Sequence, residues 1–291
     1  MLPTRGPLAS DADRRHMAGM TDAANLARLH DRALVAVEGP DWRPFLQGLL
    51  TQDVETLAVD ELRYGALLTP QGRLLFDLFV LGTEAGALLD VEAARRDAFI
   101  QRMSMYRLRA KATVERAEGG VFVRWGGGPA PAPWIADPRL AELGLRAYAL
   151  AAPGPLNADE AAYQAHRLSL GVPDPARDCA GETAYPIEAD LDLLAGIDFQ
   201  KGCFVGQETT SRMKRRGQIK SRMLPLTFDG PEPAPGTEVL AGALRAGEIR
   251  STVPGRAMAL MRLDRAEGAS LTVDGRPVTL APPRWLTISE S

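Results

Sequence analysis

Apolar positions along the chain switch between a period of two and a period near three and a half, and that switching lays out the elements. Ala33 to Val37 is a short apolar run closed by Glu38-Gly39-Pro40, which reads as a strand. Asp41 is placed to cap a helix running to Leu50, with Pro44 tolerated in its first turn. Trp42, Phe45, Leu46, Leu49 and Leu50 give that helix one apolar face. The polar trio Thr51-Gln52-Asp53 follows at once, either ending the helix or facing a pocket. Tyr64 to Leu68 and Leu74 to Leu81 read as strands joined by the turn Thr69-Pro70-Gln71-Gly72-Arg73. Ala87 to Val91 is a further strand. A helix then runs from about Glu92 to Leu108, with Phe99, Met103 and Tyr106 on one side. It delivers Arg107, Arg109 and Lys111 into a strand at Ala112 to Val114, and Val121 to Trp125 reads as a near partner across the Glu118-Gly119-Gly120 turn.

The second half is punctuated differently. Gly126 to Pro133 is a Gly/Pro/Ala stretch of surface-loop character. Arg146 to Leu150 is a strand, and Asn157 is placed to cap a helix from Ala158 to about Leu170 with Asp159 and Glu160 in its first turn. Pro173 to Pro186 is loop-rich, and residues 188–198 form an acidic, partly helical approach carrying Glu188, Asp190, Asp192 and Asp198. After Arg222 only short strands remain: Leu224 to Phe228, Glu238 to Leu240, Gly247 to Thr252, Ala257 to Leu263, Leu271 to Val273 and Val278 to Leu280. They are separated by Gly, Pro and Asp-Gly turns, Asp274-Gly275 being the clearest. This predicts an all-β module, a small barrel. The domains expected are a disordered leader over 1–21, an α+β region of two subdomains over 22–222, and the barrel over 223–291.

Between these parts lies the densest chemistry, Lys201-Gly202-Cys203-Phe204-Val205-Gly206-Gln207-Glu208. Two glycines permit positive φ or close approach of other groups. The run Thr209 to Arg216 lacks Gly and Pro, and Gly217 is a plausible residue to follow a helix end. The stretch therefore predicts a loop carrying Cys203 just ahead of a helix N-terminus. The partial positive charge there and the nearby Lys201 would both favour a thiolate. The alternative is a small buried cysteine packed as a core residue.

Length and composition narrow the classes. At 291 residues the chain holds two or three compact units, and 45% apolar and 24% charged residues are ordinary for a globular protein. A net charge of -3 gives no general pull toward nucleic acid or anionic membrane. The basic run Arg212, Lys214, Arg215, Arg216, Lys220 and Arg222 lacks interleaved aromatics, so it reads as a solvated helix end rather than a nucleic-acid interface. Two cysteines without a CxxC, and His16, His30 and His166 without metal spacing, argue against a zinc ribbon or a self-held cluster. No apolar run reaches the ~20 residues of a membrane helix. Residues 1–21 lack the apolar core of a secretory signal. A cytoplasmic location with no membrane partner is the expectation.

The motif Lys201 to Glu208 resembles the signature of the YgfZ-type folate-binding proteins, relatives of the glycine-cleavage T-protein implicated in iron–sulfur cluster assembly or repair. Gln47 to Val54, Thr69 to Arg73, Met105 to Lys111, Arg167 with Gly171-Val172-Pro173, and Pro186-Ile187-Glu188 are similar to further segments of that family. The resemblance implies an α+β, T-protein-like fold: two α+β subdomains plus a C-terminal β-barrel around a central folate-sized opening. It implies tetrahydrofolate, with or without a polyglutamate tail, as ligand, a transient iron–sulfur cluster, and iron–sulfur assembly or client proteins as partners. Cys203 would be the functional thiol within a group comprising Lys201, Gln207 and Glu208. Tyr64, Tyr106 and Tyr163 would wall the pterin, Asp53 and Glu188 would accept from its edge, and Arg107 and Arg109 would hold the anionic tail. The alternative function is a folate-dependent one-carbon transferase or demethylase of the aminomethyltransferase type. Here the chain departs from the T-protein pattern, because Phe76 stands where the first residue of an acidic pair is expected, leaving Asp77.

Overall fold

The computed structural model describes residues 24–179, 181–217 and 219–286. The leader expected over 1–21 lies outside the described residues. A first, fully antiparallel sheet is built from β2 (Arg32–Glu38), β3 (Leu62–Leu68), β4 (Leu74–Gly82), β5 (Gly86–Glu92) and β6 (Thr113–Ala117), in the order β3-β4-β5-β2-β6. Period-two alternation gives it two unlike faces. Phe76, Leu78 and Val80 of β4, with Val35, Val37, Leu89 and Val91, form an apolar outer face under α1 (Trp42–Gln47) and α2 (Arg96–Arg107). On the inner face Asp77, Asp90 and Arg32 stand near Phe79 and Leu34, charges in otherwise apolar strands.

A second sheet, β1 (Asn25–Leu29), β7 (Gly120–Trp125), β9 (Leu145–Ala149) and β8 (Ile135–Ala136), packs against that inner face and against α3 (Glu160–Ser169), which the single turn α4 (Pro175–Asp178) follows in the chain. Six strands then close a barrel: β10 (Ser221–Phe228), β11 (Glu238–Ala241), β12 (Leu244–Val253), β13 (Arg256–Arg262), β14 (Leu271–Val273) and β15 (Arg276–Leu280), ordered β10-β13-β12-β11-β14-β15. The Asp274-Gly275 turn joins β14 to β15 with both residues at positive φ, 50° and 73°, the conformation whose twist suits a two-residue hairpin.

Four local expectations are corrected. β6 and β7 form no hairpin: β6 pairs with β2, while β7 pairs with β1 and β9. Val121 and Val123 are buried in the second sheet's core, and Gly119 at φ 121° lets the chain cross between sheets beneath Leu34 and Ala149. The helix expected to Leu50 ends at Gln47, and Leu50 bridges to Leu67 instead. Asn157 caps no helix; its Oδ1 accepts from Leu26 N at 2.7 Å, and Asp159 caps α3 by accepting from Ala162 N at 2.8 Å. Residues 188–198 are a chain of turns, with Asp190 and Ala195 at positive φ, rather than a partial helix.

Candidate functional site: the Cys203 platform and the central cleft

Three separated sequence motifs converge under Cys203. Lys201 is buried, and its ammonium donates to three backbone carbonyls, Gln47 O at 2.8 Å, Leu50 O at 2.7 Å and Gln52 O at 2.8 Å. Val205 N donates to Gly48 O at 3.2 Å, and Asp198 N to Thr51 O at 3.0 Å. Thr51 and Gln52 grip the 195–196 turn, Oγ1 donating to Gly196 O at 2.6 Å and Nε2 to Ala195 O at 2.7 Å, so these residues brace the loop rather than face a pocket. On the other side Gly206 sits at φ 82° against the hairpin at 69–73. A Cβ there would come within 2.7 Å of Thr69 O and 2.9 Å of Gly72 Cα. Phe204 is buried as the plug beneath the loop. The result is a braced loop that holds Cys203 exposed just ahead of α5 (Gln207–Arg216).

Lys201 is therefore a clamp. Its three N–H donors are all taken by carbonyls, which leaves none to donate to the Cys203 thiol. Burial pushes its pKa down to about 8, against the pull of Asp53 and Asp198. Gln207 opens α5, its N donating to Phe204 O, and Glu208 points to solvent, 92% exposed and 4.0 Å from Arg212.

The nominated folate residues do not gather in one place. Asp53 folds onto its own loop, accepting from Gln47 Nε2, Thr56 Oγ1 and Arg63. Burial pushes its carboxyl up, but the Thr56 and Gln47 bonds outweigh that and hold it well below the carboxylate range. Tyr64 is buried beside Phe79, ring centroids 4.9 Å apart. Tyr106 packs on the outer face of the first sheet, and Arg107 and Arg109 are exposed beyond it, so the sheet separates all three from the inner side. Glu188 is half-buried, accepting from Tyr185 N at 2.9 Å, and burial raises its pKa against Arg73 and Arg250. Tyr163 alone lines the central cleft.

That cleft lies between the two sheets, where Arg32 donates to Asp90 at 2.6 Å and meets Asp77 at 3.2 Å. Arg146 reaches Asp90 at 2.5 Å, and Arg139 pairs with Asp137 at 2.8 Å and donates to the Tyr163 hydroxyl at 3.4 Å. Burial pushes Asp90 and Asp137 up, but the adjacent guanidiniums overcome it and both carboxyls lie below their ordinary range. Asp77, with Arg32 as its ion-pair partner, is left raised by burial. Asp31 is raised to about 6 by burial and by Asp174, and its Oδ1 is buried with no hydrogen-bond partner. The free interior of the cleft is about 10 Å³, room for one water. Phe76 faces the opposite side, edge-on to Phe99, so a carboxylate at that position would not have entered the cleft. Sequence reasoning missed Arg32, Asp90, Asp137, Arg139 and Arg146. The available signal was a charge within or beside an apolar strand run. Among the described residues no group of three or more His, Cys, Asp or Glu side chains converges as a metal site.

Residues 220–288 match the family described as CAF17, C-terminal beta-barrel domain. Over 93% of its length the chain superposes on 87% of the crystal structure of glycine cleavage system aminomethyltransferase T from Bartonella henselae, with a TM-score of 0.72 at 20% identity. Its class is thus an aminomethyltransferase T-like fold with a closed C-terminal barrel. The human mitochondrial iron–sulfur cluster assembly factor IBA57 is 31% identical, over 90% of this chain and 86% of its own length. The Neurospora crassa homolog is 30% identical over 90% and 67%, and the mouse protein 32% over 83% and 78%. The chain belongs to the IBA57 family of iron–sulfur cluster assembly factors. These comparisons name IBA57 rather than the YgfZ-type proteins. They also overturn the cytoplasmic expectation, because these relatives are mitochondrial by name. Neither a missing membrane-length apolar run nor a missing secretory apolar core bears on this, because mitochondrial transit segments are amphipathic and Arg-rich rather than apolar.

Proposed function

We propose that the chain serves iron–sulfur cluster assembly through Cys203, as a thiol that engages a cluster completed by ligands from a partner or client protein. The observation that carries this is an exposed cysteine on a loop fixed from three sides, by Lys201, by Val205 and by the Gly206–Gly72 contact. A thiol that must exchange a cluster needs exposure, and one that must meet a partner's thiolates needs a defined position. Replacement tests it: Cys203→Ser should abolish support of cluster-dependent enzymes in a deletion strain while leaving the unfolding midpoint unchanged. Full support by the variant would remove the thiol role.

Tetrahydrofolate is assigned to the central cleft. The carboxylate acceptors suit a pterin edge, whose N–H groups need acceptors: Asp77 and Asp174 line the cleft and Asp31 Oδ1 lacks a partner. Arg32, Arg139, Arg146 and Arg167 line the same cleft and are the cations available to an anionic tail. With about 10 Å³ free, entry requires the arginine side chains to move apart. Anaerobic calorimetry with tetrahydrofolate should show saturable binding that Asp31→Ala weakens; no saturable heat would remove folate from the reading.

A further inference from the structure

Tyr106, Arg107 and Arg109 need another account, since the first sheet lies between them and the cleft. By packing Phe99, Met103 and Tyr106 inward, α2 turns Met105 out to 64% exposure. The chain then leaves the helix through Leu108, 90% exposed and at φ 36°. A leucine held in a costly backbone conformation with its side chain in water gains nothing from burial within this chain. Flanking these two apolar groups in sequence are Arg102, Arg107, Arg109 and Lys111, four cations in a chain of net charge -3. Of the acids nearby, Asp97 pairs with Arg116, Glu92 with Arg95, and Asp41 accepts from the backbone N–H of Lys111, while Glu38 and Glu115 lie exposed along the β2–β6 pair. Next to them β6 is an edge strand, paired among the described residues with β2 alone.

We propose that this corner docks an acidic segment of a partner protein, an aliphatic side chain seated on Met105 and Leu108 and carboxylates on Arg107, Arg109 and Lys111. Charge complementarity selects an anionic occupant. The open strand edge favours a polypeptide over a lipid surface, because only a polypeptide can use unpaired backbone N–H and C=O groups. The surface is independent of the roles assigned to Cys203 and the cleft.

The test is photo-cross-linking in cells from benzoylphenylalanine replacing Leu108 in the full chain. The control carries it in place of Leu150, which is 85% exposed at the end of β9. A discrete protein adduct is expected at 108 and not at 150, with an Asp/Glu-rich cross-linked peptide. Adding Arg107→Glu and Arg109→Glu should lower its yield about tenfold. Both arginines are exposed and, among the described residues, only Arg107 of the two makes a bond within the chain, a long one to Ala112 O at 3.4 Å, so the urea midpoint of that variant should move little. Equal yields at the two positions, or a yield indifferent to the charge reversal, would overturn the proposal. So would flotation of the purified protein on equimolar phosphatidylcholine–phosphatidylserine vesicles that the charge reversal abolishes, which would make lipid the occupant.

Discussion

Replacing Lys201 with Met removes the ammonium while keeping most of the side chain's bulk. Three charge-assisted bonds to Gln47, Leu50 and Gln52 carbonyls are lost. At about 2 kcal/mol each, they amount to about 6 kcal/mol. Against this stands the cost of burying the charge: a pKa brought from 10.5 to about 8 corresponds to about 3 kcal/mol. The difference, about 3 kcal/mol of lost stability, should appear at pH 7 as a lower urea midpoint with a little-changed slope. Thermally it corresponds to a fall of ~6–12 °C. Hydrogen exchange localises the effect, since the Val205 amide, bonded to Gly48 O, should exchange faster. A loss below about 1 kcal/mol with unaltered Val205 exchange would show that water satisfies these carbonyls equally well and that Lys201 is not the clamp.

Gly206→Ala should destabilise by about 2–4 kcal/mol, read from the same urea midpoint, because the methyl meets Thr69 O and Gly72 and the backbone stays at φ 82°; a neutral result would mean the hairpin yields freely. Asp31 gives a pH signature. Its folded pKa, about 6, lies above the ordinary 3.8, so its contribution is fully present below pH 4 and is lost as pH rises through 6. With the side chain 25% exposed, screening reduces the loss to about 2 kcal/mol. Subtracting the stability–pH curve of Asp31→Asn from that of the parent should therefore reveal a step between pH 4 and 6, and parallel curves would contradict the assigned shift.

The strands and helices bearing a full apolar period were readable, as β2, β4 and the barrel strands show, because burial on one face leaves an alternating record in the residues themselves. The cysteine loop and the αL glycine before α5 were readable for a different reason: only a few residue types suit such backbone geometry and such a thiol. Boundaries were less legible. Asn157 and Asp159 are equally good caps by composition, and only the approach of β1 assigns the first to Leu26 and the second to α3.

What the sequence by itself determined was therefore local: periodicity, turn chemistry, the loop that carries Cys203, and a family likeness carried by contiguous residues. What tertiary structure decided was which of these parts meet. It sent β7 across to the second sheet instead of into a hairpin. It placed Arg107 and Arg109 behind a sheet, away from the central cleft. It assembled Arg32, Asp90 and the Asp137–Arg146 pair from three distant segments into one buried network. It also turned Lys201 from a neighbour of the thiol in sequence into a clamp on carbonyls some 150 positions away. The physical reason is that ion pairs and hydrogen bonds depend on distance in space, and the strand order that sets those distances follows from burying whole faces at once.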